Sequence, residues 1–243
     1  LNHFSEFGIN LVDRMIVWAG GIDQIKVRYD GDEHLRPLVR DGRGAMLIGA
    51  HLGSFDMLRA LATKYGFVVN VIMFTRHSRN INAFFAGLDP GSNLRVIHLD
   101  PDSVRVAFEI RACVERGELV AILSDRIDAG SRARRREVPF LGHPTRFPMA
   151  PYLIADTLGC PLLMVLCVRT HDSSYDAIVR PLLSSAPAGA SRRVRREAAD
   201  AALARFVHTI EEFCYRTPYQ WFNFYDFWAQ GNLSQSRAES PQP

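Results

Sequence analysis

His51 and Asp56 are the side chains whose types and spacing most directly suggest chemistry. The stretch Gly49-Ala50-His51-Leu52-Gly53-Ser54-Phe55-Asp56 sets an imidazole at the end of an apolar run and a carboxylate five positions later. With the run as a strand and Ser54 as the cap of a following helix, a turn at Gly53 folds the first helical turn back toward the strand end. Asp56 then reaches one imidazole nitrogen while the other faces a cleft. A carboxylate in that place fixes the tautomer and stabilises the imidazolium formed when the ring removes a proton. This is general-base chemistry without a protein nucleophile: there is no Gly-x-Ser-x-Gly elbow, and the Ser54 hydroxyl is better used as a helix cap. The same residues also have an ordinary reading. An acid in a first helical turn is favoured by the helix dipole whatever it does, and a loop histidine often only satisfies a local hydrogen bond.

The elements that must position this pair are legible as apolar runs and punctuation. Ala45 to Ala50 is a continuous apolar run of strand length, the mark of a buried parallel strand. A helix is expected from Ser54 to Tyr65, ended near Gly66, and a second strand over Val68 to Phe74. The alternation continues with a strand Leu94 to Leu99, a helix Asp102 to Arg116 stopped by Gly117, and a strand Glu118 to Leu123. Beyond it come a proline-started helix from Pro148 to Leu158, a buried strand Pro161 to Arg169, and an antiparallel or edge companion at Tyr175 to Val179. Ser184 to Arg193 reads as a loop, and Arg195 to Tyr215 as a closing amphipathic helix. At the other end Phe4, Phe7, Leu11, Met15 and Trp18 fall on one helical face, expected to pack on the core, with docking on a membrane or acyl chain as the rival reading. Repeated strand–helix alternation predicts an α/β fold: a single αβα layered domain over residues 1–232, with a mostly parallel sheet and function at the carboxyl ends of its strands. Residues 233–243 read as a disordered tail.

Composition agrees with one globular core. Apolar residues make up 47% and charged residues 23% of 243, which excludes a disordered or fibrous chain. The net charge is only +3, yet arginines crowd at Arg132 to Arg136 and at Arg192 to Arg196. Cys113, Cys160, Cys167 and Cys214 show no Cys-x-x-Cys spacing and read as reduced thiols. The histidines His3, His77, His98, His143, His171 and His208 show no ligand spacing, so no metal is expected. No stretch approaches the roughly 20 apolar residues that span a bilayer. The chain begins at Leu1, which leaves room for an upstream anchor or fused domain.

Taken as an ordered set, these residues resemble the lysophospholipid acyltransferase superfamily, in particular the branch that acylates lipid A precursors. His51 and Asp56 fit its His-x4-Asp/Glu motif. Thr75-Arg76 with Asn80 resembles its arginine and asparagine block, and Leu123-Ser124-Asp125-Arg126 its aspartate-bearing loop. Val138-Pro139-Phe140-Leu141-Gly142 followed by Phe147-Pro148-Met149-Ala150-Pro151 is similar to the segment leading into its next helix. Thr217-Pro218-Tyr219-Gln220-Trp221 is similar to its closing block. The resemblance runs from about Phe4 to Trp228.

The resemblance implies a lipid A acyltransferase-like fold and an O-acyltransferase peripheral to the cytoplasmic face of a bacterial inner membrane. The implied donor is an acyl carrier protein or coenzyme A thioester, used as substrate with no permanently bound cofactor. The implied acceptor is a hydroxyl of a lipid, glycolipid or pigment-type envelope molecule. Asp125-Arg126-Ile127-Asp128 and Phe222-Asn223-Phe224-Tyr225-Asp226 depart from that branch's usual histidine and basic run, which leaves the acceptor open. His51 and Asp56 are the catalytic candidates. Gly53, Arg76, Arg79, Asp125, Arg126, Phe140 and Gly142 are candidates for substrate binding. Arg76 and Arg79 suit a phosphate or an oxyanion, or are solvated surface arginines; Asp125 orients Arg126 or the acceptor, or is a plain turn residue. The arginine run from Arg132 suits anionic headgroups or an acidic carrier protein better than nucleic acid, since it has no interleaved aromatics. Two other readings stand beside the transferase: a thioesterase or lipid hydrolase using the same base on water, and a non-catalytic lipid-binding module.

Overall fold

Strands of four to nine residues, most of them apolar runs, assemble a seven-stranded sheet that carries the whole architecture. The computed structural model describes residues 1–74, 94–99, 105–127, 134–171, 174–183 and 189–228. In chain order the elements are α1 (Asn2–Trp18), β1 (Val27–Asp30), α2 (Arg36–Arg40), β2 (Ala45–Gly49), α3 (Phe55–Lys64), β3 (Val69–Phe74) and β4 (Leu94–Leu99). Then follow α4 (Arg105–Glu115), β5 (Leu119–Leu123), β6 (Arg135–Phe140), β7 (His143–Pro148), α5 (Ala150–Leu158), β8 (Leu162–Arg169), β9 (Tyr175–Leu183) and α6 (Arg192–Arg216). The sheet order is β1-β9-β8-β2-β5-β3-β4. All neighbours are parallel except β8 and β9.

This is the expected single layered α/β domain. Every residue of β2 is buried, because helices cover both faces of the sheet. On one face α4, α5 and α6 bury Ile110, Tyr152, Ala155, Leu203, Phe206 and Ile210 against Met46, Ile48, Met164 and Leu166. On the other, α2 and α3 bring Leu38, Val39, Phe55 and Leu58 onto Leu47, Ala121 and Val165. All four cysteines are buried, and none forms a disulfide.

Several elements differ from the sequence expectation, each for a physical reason. β1 was not expected: it is a four-residue edge strand with three exposed residues, so it lacks an apolar signal. The companion strand β9 is antiparallel to β8, one of the two expected forms, but it extends four residues past Val179 and is not an edge, since β1 pairs with it in parallel. The segment around Phe140 is a hairpin, β6–β7, whose two turn residues Leu141 and Gly142 both have positive φ, as a type I′ turn requires. α6 begins at Arg192, inside the expected loop, because Ser191 accepts a cap bond from the Val194 amide. α1 departs most. Its apolar face does not pack on the core: Phe4 is 70% and Met15 66% exposed, while the residues it buries are Asn10 and Val17. Polar contacts fasten the helix instead. Tyr175 donates to Asp13 Oδ2 at 2.7 Å, and Arg14 pairs with Asp56 at 2.6 Å.

Candidate functional site

Parallel register determines which carboxylate His51 meets. β2 pairs with β5 with Gly49 opposite Leu123, so two more residues along each strand set His51 beside Asp125 at the carboxyl edge. The Ser124 amide donates to Gly49 O at 3.0 Å and carries the pairing past the strand ends. There His51 Nδ1 lies 2.7 Å from Asp125 Oδ1, and the His51 amide donates to Oδ2 at 3.1 Å. Trp221 Nε1 donates to the same Oδ2 at 3.3 Å. Asp125 is fully buried, whereas the His51 side chain is 31% exposed. Burial alone would push the Asp125 carboxyl up. The hydrogen bonds and charge of His51, with Arg126 beside it, outweigh burial and hold the carboxyl below its ordinary value. A charged carboxylate at Nδ1 demands the tautomer with the proton on Nδ1, which gives Nε2 the free lone pair.

The loop carrying His51 is clamped from behind. Leu52 bridges to Trp221, the Gly53 amide donates to Gln220 O at 2.9 Å, and the Phe222 amide donates to His51 O at 2.8 Å. Gln220 in turn holds β8: its Oε1 accepts from the Arg169 amide at 2.8 Å and its Nε2 donates to Arg169 O at 2.7 Å. Gly53 is required here, since its φ is +75° and a Cβ would lie 2.1 Å from Cys167 O. Ser54 caps α3 by accepting from the Met57 amide at 3.4 Å, so its hydroxyl is engaged as the sequence suggested.

Asp56 does not reach His51, contrary to the sequence expectation. It lies in the first turn of α3 and faces α1, where Oδ2 meets Arg14 Nε at 2.6 Å and Oδ1 accepts from Trp18 Nε1 at 3.3 Å. Arg59 Nε is a further 3.9 Å contact on the same carboxylate. The five-residue spacing is therefore used to fasten α1 over α3. The position at the imidazole is taken by Asp125, which comes from a neighbouring strand.

The remaining candidates separate clearly. Arg126 is next to the pair; its Nη2 donates to Phe222 O at 2.8 Å and its guanidinium lies 5.3 Å from the Tyr225 ring centre. Phe140 is fully buried among Phe147, Trp221 and Phe227, with ring centres 5.3 to 5.9 Å away, so it backs Trp221. Gly142 serves the β6–β7 turn, beside the Leu141 amide that donates to Glu211 at 2.6 Å. Arg76 and Arg79 lie outside the described residues, as do Asn80, Asp128 and Arg132. Trp221 and Gln220 were missing from the sequence-derived site. Their signal was the closing block itself, whose position in the chain says nothing about which strand end it covers.

A buried carboxylate and a partly exposed imidazole thus meet at the strand ends of a mostly parallel sheet covered on both faces. The family model of the bacterial lipid A biosynthesis acyltransferases matches residues 2–230, and the chain belongs to that family. Acyl transfer to a lipid acceptor comes with this membership. No curated protein matches the chain closely enough to count as a relative.

Proposed function

We propose that the protein is an O-acyltransferase that moves a fatty acyl group from an acyl carrier protein or coenzyme A thioester to a hydroxyl of a lipid, glycolipid or similar envelope acceptor. His51 is the general base, and Asp125 is the residue that orients it. The observation that carries this reading is the 2.7 Å contact between His51 Nδ1 and a fully buried, charged Asp125, which directs Nε2 outward. The acceptor proton passes to Nε2 as its oxygen attacks the thioester carbonyl. The tetrahedral intermediate collapses with loss of the thiolate, which takes the proton back from the imidazolium. Ester and thiol are the products, and no acyl-enzyme forms. Asp125 holds the tautomer and stabilises the imidazolium between the two proton transfers. Arg126, one residue along, contributes positive charge near the developing oxyanion.

The protein works at a membrane surface, with its acceptor delivered from the lipid. Supporting this, exposed Phe4 and half-buried Phe7 of α1 adjoin the segment that clamps His51: Phe4 stacks on Phe224 at 5.6 Å and Phe7 meets Phe222 at 5.4 Å. Among the described residues no helix is long and apolar enough to cross a membrane. An apolar, aromatic rim beside the site suits attachment to the inner membrane's cytoplasmic leaflet. Arg134 and Arg135, exposed where β6 begins, suit an acidic carrier protein.

Transfer of a radiolabelled palmitoyl group from palmitoyl carrier protein to a lipid extract tests the assignment. His51→Ala is expected to lower the rate by roughly 10²- to 10⁴-fold with an unchanged melting temperature. Retained transfer would remove His51 from the mechanism. Free palmitate released at the full rate in the presence of acceptor would replace the transferase reading with a thioesterase.

A further inference from the structure

α5 is apolar on two sides. Its inner side buries Pro151, Tyr152 and Ala155, while Leu153, Ile154 and Leu158 lie half-buried on the outer side. A helix apolar all round calls for cover on both sides. With Ala107 of α4 and with Ala150, those outer residues wall an open groove of about 620 Å³ of empty space, its open side included, and Arg134 stands at its edge. Phe108, next to Ala107, is 66% exposed. Apolar surface gathered in this way and rimmed by charge marks an interaction site.

The groove begins at the catalytic edge. α5 leads into β8, which runs parallel to β2, so its first turn lies at the carboxyl ends of the parallel strands. The Met149 amide donates to Arg134 O at 2.8 Å and ties the arginine to that turn. Tyr152, in the same turn, is fully buried, and burial together with the nearby Asp125 charge pushes its phenol up. From Ala150 to Leu158 the helix advances about 12 Å. At its far end the start of α6 lies against it, with Arg195 Nη1 3.9 Å from Asp156 Oδ2, and Arg192 and Arg196 are exposed there. Among the described residues Arg134, Arg192 and Arg196 have no carboxylate partner, whereas Arg193 is matched by Glu197 and Arg105 by Glu109. Uncompensated positive charge therefore stands at both ends of an apolar floor.

We infer that this groove docks an acidic amphipathic helix of the acyl carrier protein that delivers the donor, and that carrier-borne acyl groups are thereby selected over coenzyme A thioesters. The inference rests on the acyltransferase reading for the identity of the partner. A helix with an apolar stripe between carboxylates matches the floor and both charged ends. An anionic lipid matches the floor and one end only, and coenzyme A has phosphates but no apolar face to seat. The exposed apolar residues of α1 lie on the other side of the molecule, since Arg14 fastens that helix to α3 across the sheet from α4 and α5. Lipid and carrier thus approach from opposite faces and meet at the edge that holds His51.

Anisotropy of fluorescein-labelled palmitoyl carrier protein, with KM for palmitoyl carrier protein and for palmitoyl-coenzyme A, tests this on wild type, Ile154→Asp and the pair Arg134→Glu with Arg196→Glu. Wild type is expected to bind the carrier, more weakly as salt is raised. Both variants should weaken that binding and raise the carrier KM by at least about tenfold, with KM for palmitoyl-coenzyme A and the melting temperature little changed. Should Ile154→Asp not fold, the arginine pair decides alone. No carrier binding by wild type, unchanged binding in the folded variants, or an equal rise of both KM values overturns the inference. Unchanged carrier binding with lost co-sedimentation on phosphatidylglycerol vesicles would give the groove to lipid, and unchanged carrier binding with a dimer split by Ile154→Asp would give it to a second copy; either overturns the inference as well. Carrier binding that the variants weaken, without transfer to any hydroxyl, would leave the docking assignment standing and remove the transferase reading. Transfer from the carrier with binding unchanged in the variants would do the reverse.

Discussion

Two carboxylates, Asp125 fully buried and Glu118 partly so, show how single residues carry charge in this molecule. Asp125 stays ionised against the cost of burial because His51 supplies two hydrogen bonds and a charge, with the Arg126 charge beside it. Glu118 repeats the device at the opposite edge of the sheet. It accepts from Arg116 Nη2 at 2.8 Å, from Asn70 Nδ2 at 2.9 Å and from Arg95 Nη1 at 2.8 Å, tying β3, β4 and the turn into β5 together. Chiefly through the Arg116 bond, its carboxyl is drawn down to about 2. A group depressed on folding stabilises the native state above its unfolded value of about 4.3 and loses that contribution as pH falls toward the folded one. The stability gap between wild type and Glu118→Gln, measured by urea titration at several pH values, should therefore be constant above pH 5 and shrink between pH 4 and 2. A gap that stays the same throughout this window would refute the role given to Glu118.

At the scale of elements, α1 is the exception to ordinary burial. An amphipathic helix normally turns its apolar face inward, yet α1 is fastened by Asp13, Arg14 and Trp18 and leaves Phe4, Val12 and Met15 outside. The period-3.6 pattern was readable in the sequence. The direction of the face was not, because periodicity cannot distinguish a protein core from a membrane as the apolar partner. If the face meets lipid, Phe4→Ser with Met15→Ser should weaken co-sedimentation with phosphatidylglycerol–phosphatidylethanolamine vesicles by at least about tenfold, given the apolar burial lost, without lowering the melting temperature. Unchanged sedimentation would place the membrane contact elsewhere. The buried strands β2, β5 and β8 were legible as apolar runs because both of their faces are covered. Edge strand β1 and hairpin β6–β7 were not, since exposed strands with charged or proline-containing sequences carry no such mark.

For the molecule as a whole, the layered α/β architecture followed from the order of the runs, and His51 from its place at the end of one. The partner of His51 did not follow. Local spacing pointed to Asp56, whereas the structure brings up Asp125 from 74 positions away through strand register. Strand order in a parallel sheet depends on crossover connections and tertiary packing that no local pattern records. What the sequence did hold was an acid two residues past β5, matching a histidine two residues past β2. Trp221 and Gln220 likewise become meaningful only when the closing segment lies across the histidine loop. The sheet thus gathers one group from each of three distant segments, while Asp56 secures the helix that borders them.

Side-by-side steady-state kinetics of Asp125→Asn and Asp56→Asn at saturating donor separate the roles of the two aspartates. Asp125→Asn should lower kcat by about 10²-fold or more with KM little changed, and alter the pH–rate profile, because the imidazole loses its tautomer and its charge partner. Asp56→Asn should keep kcat within about tenfold and instead cost about 1–3 kcal/mol of stability, because the Arg14 and Trp18 contacts lose their charge. The opposite result, with kcat collapsing in Asp56→Asn and surviving in Asp125→Asn, would reverse the two assignments.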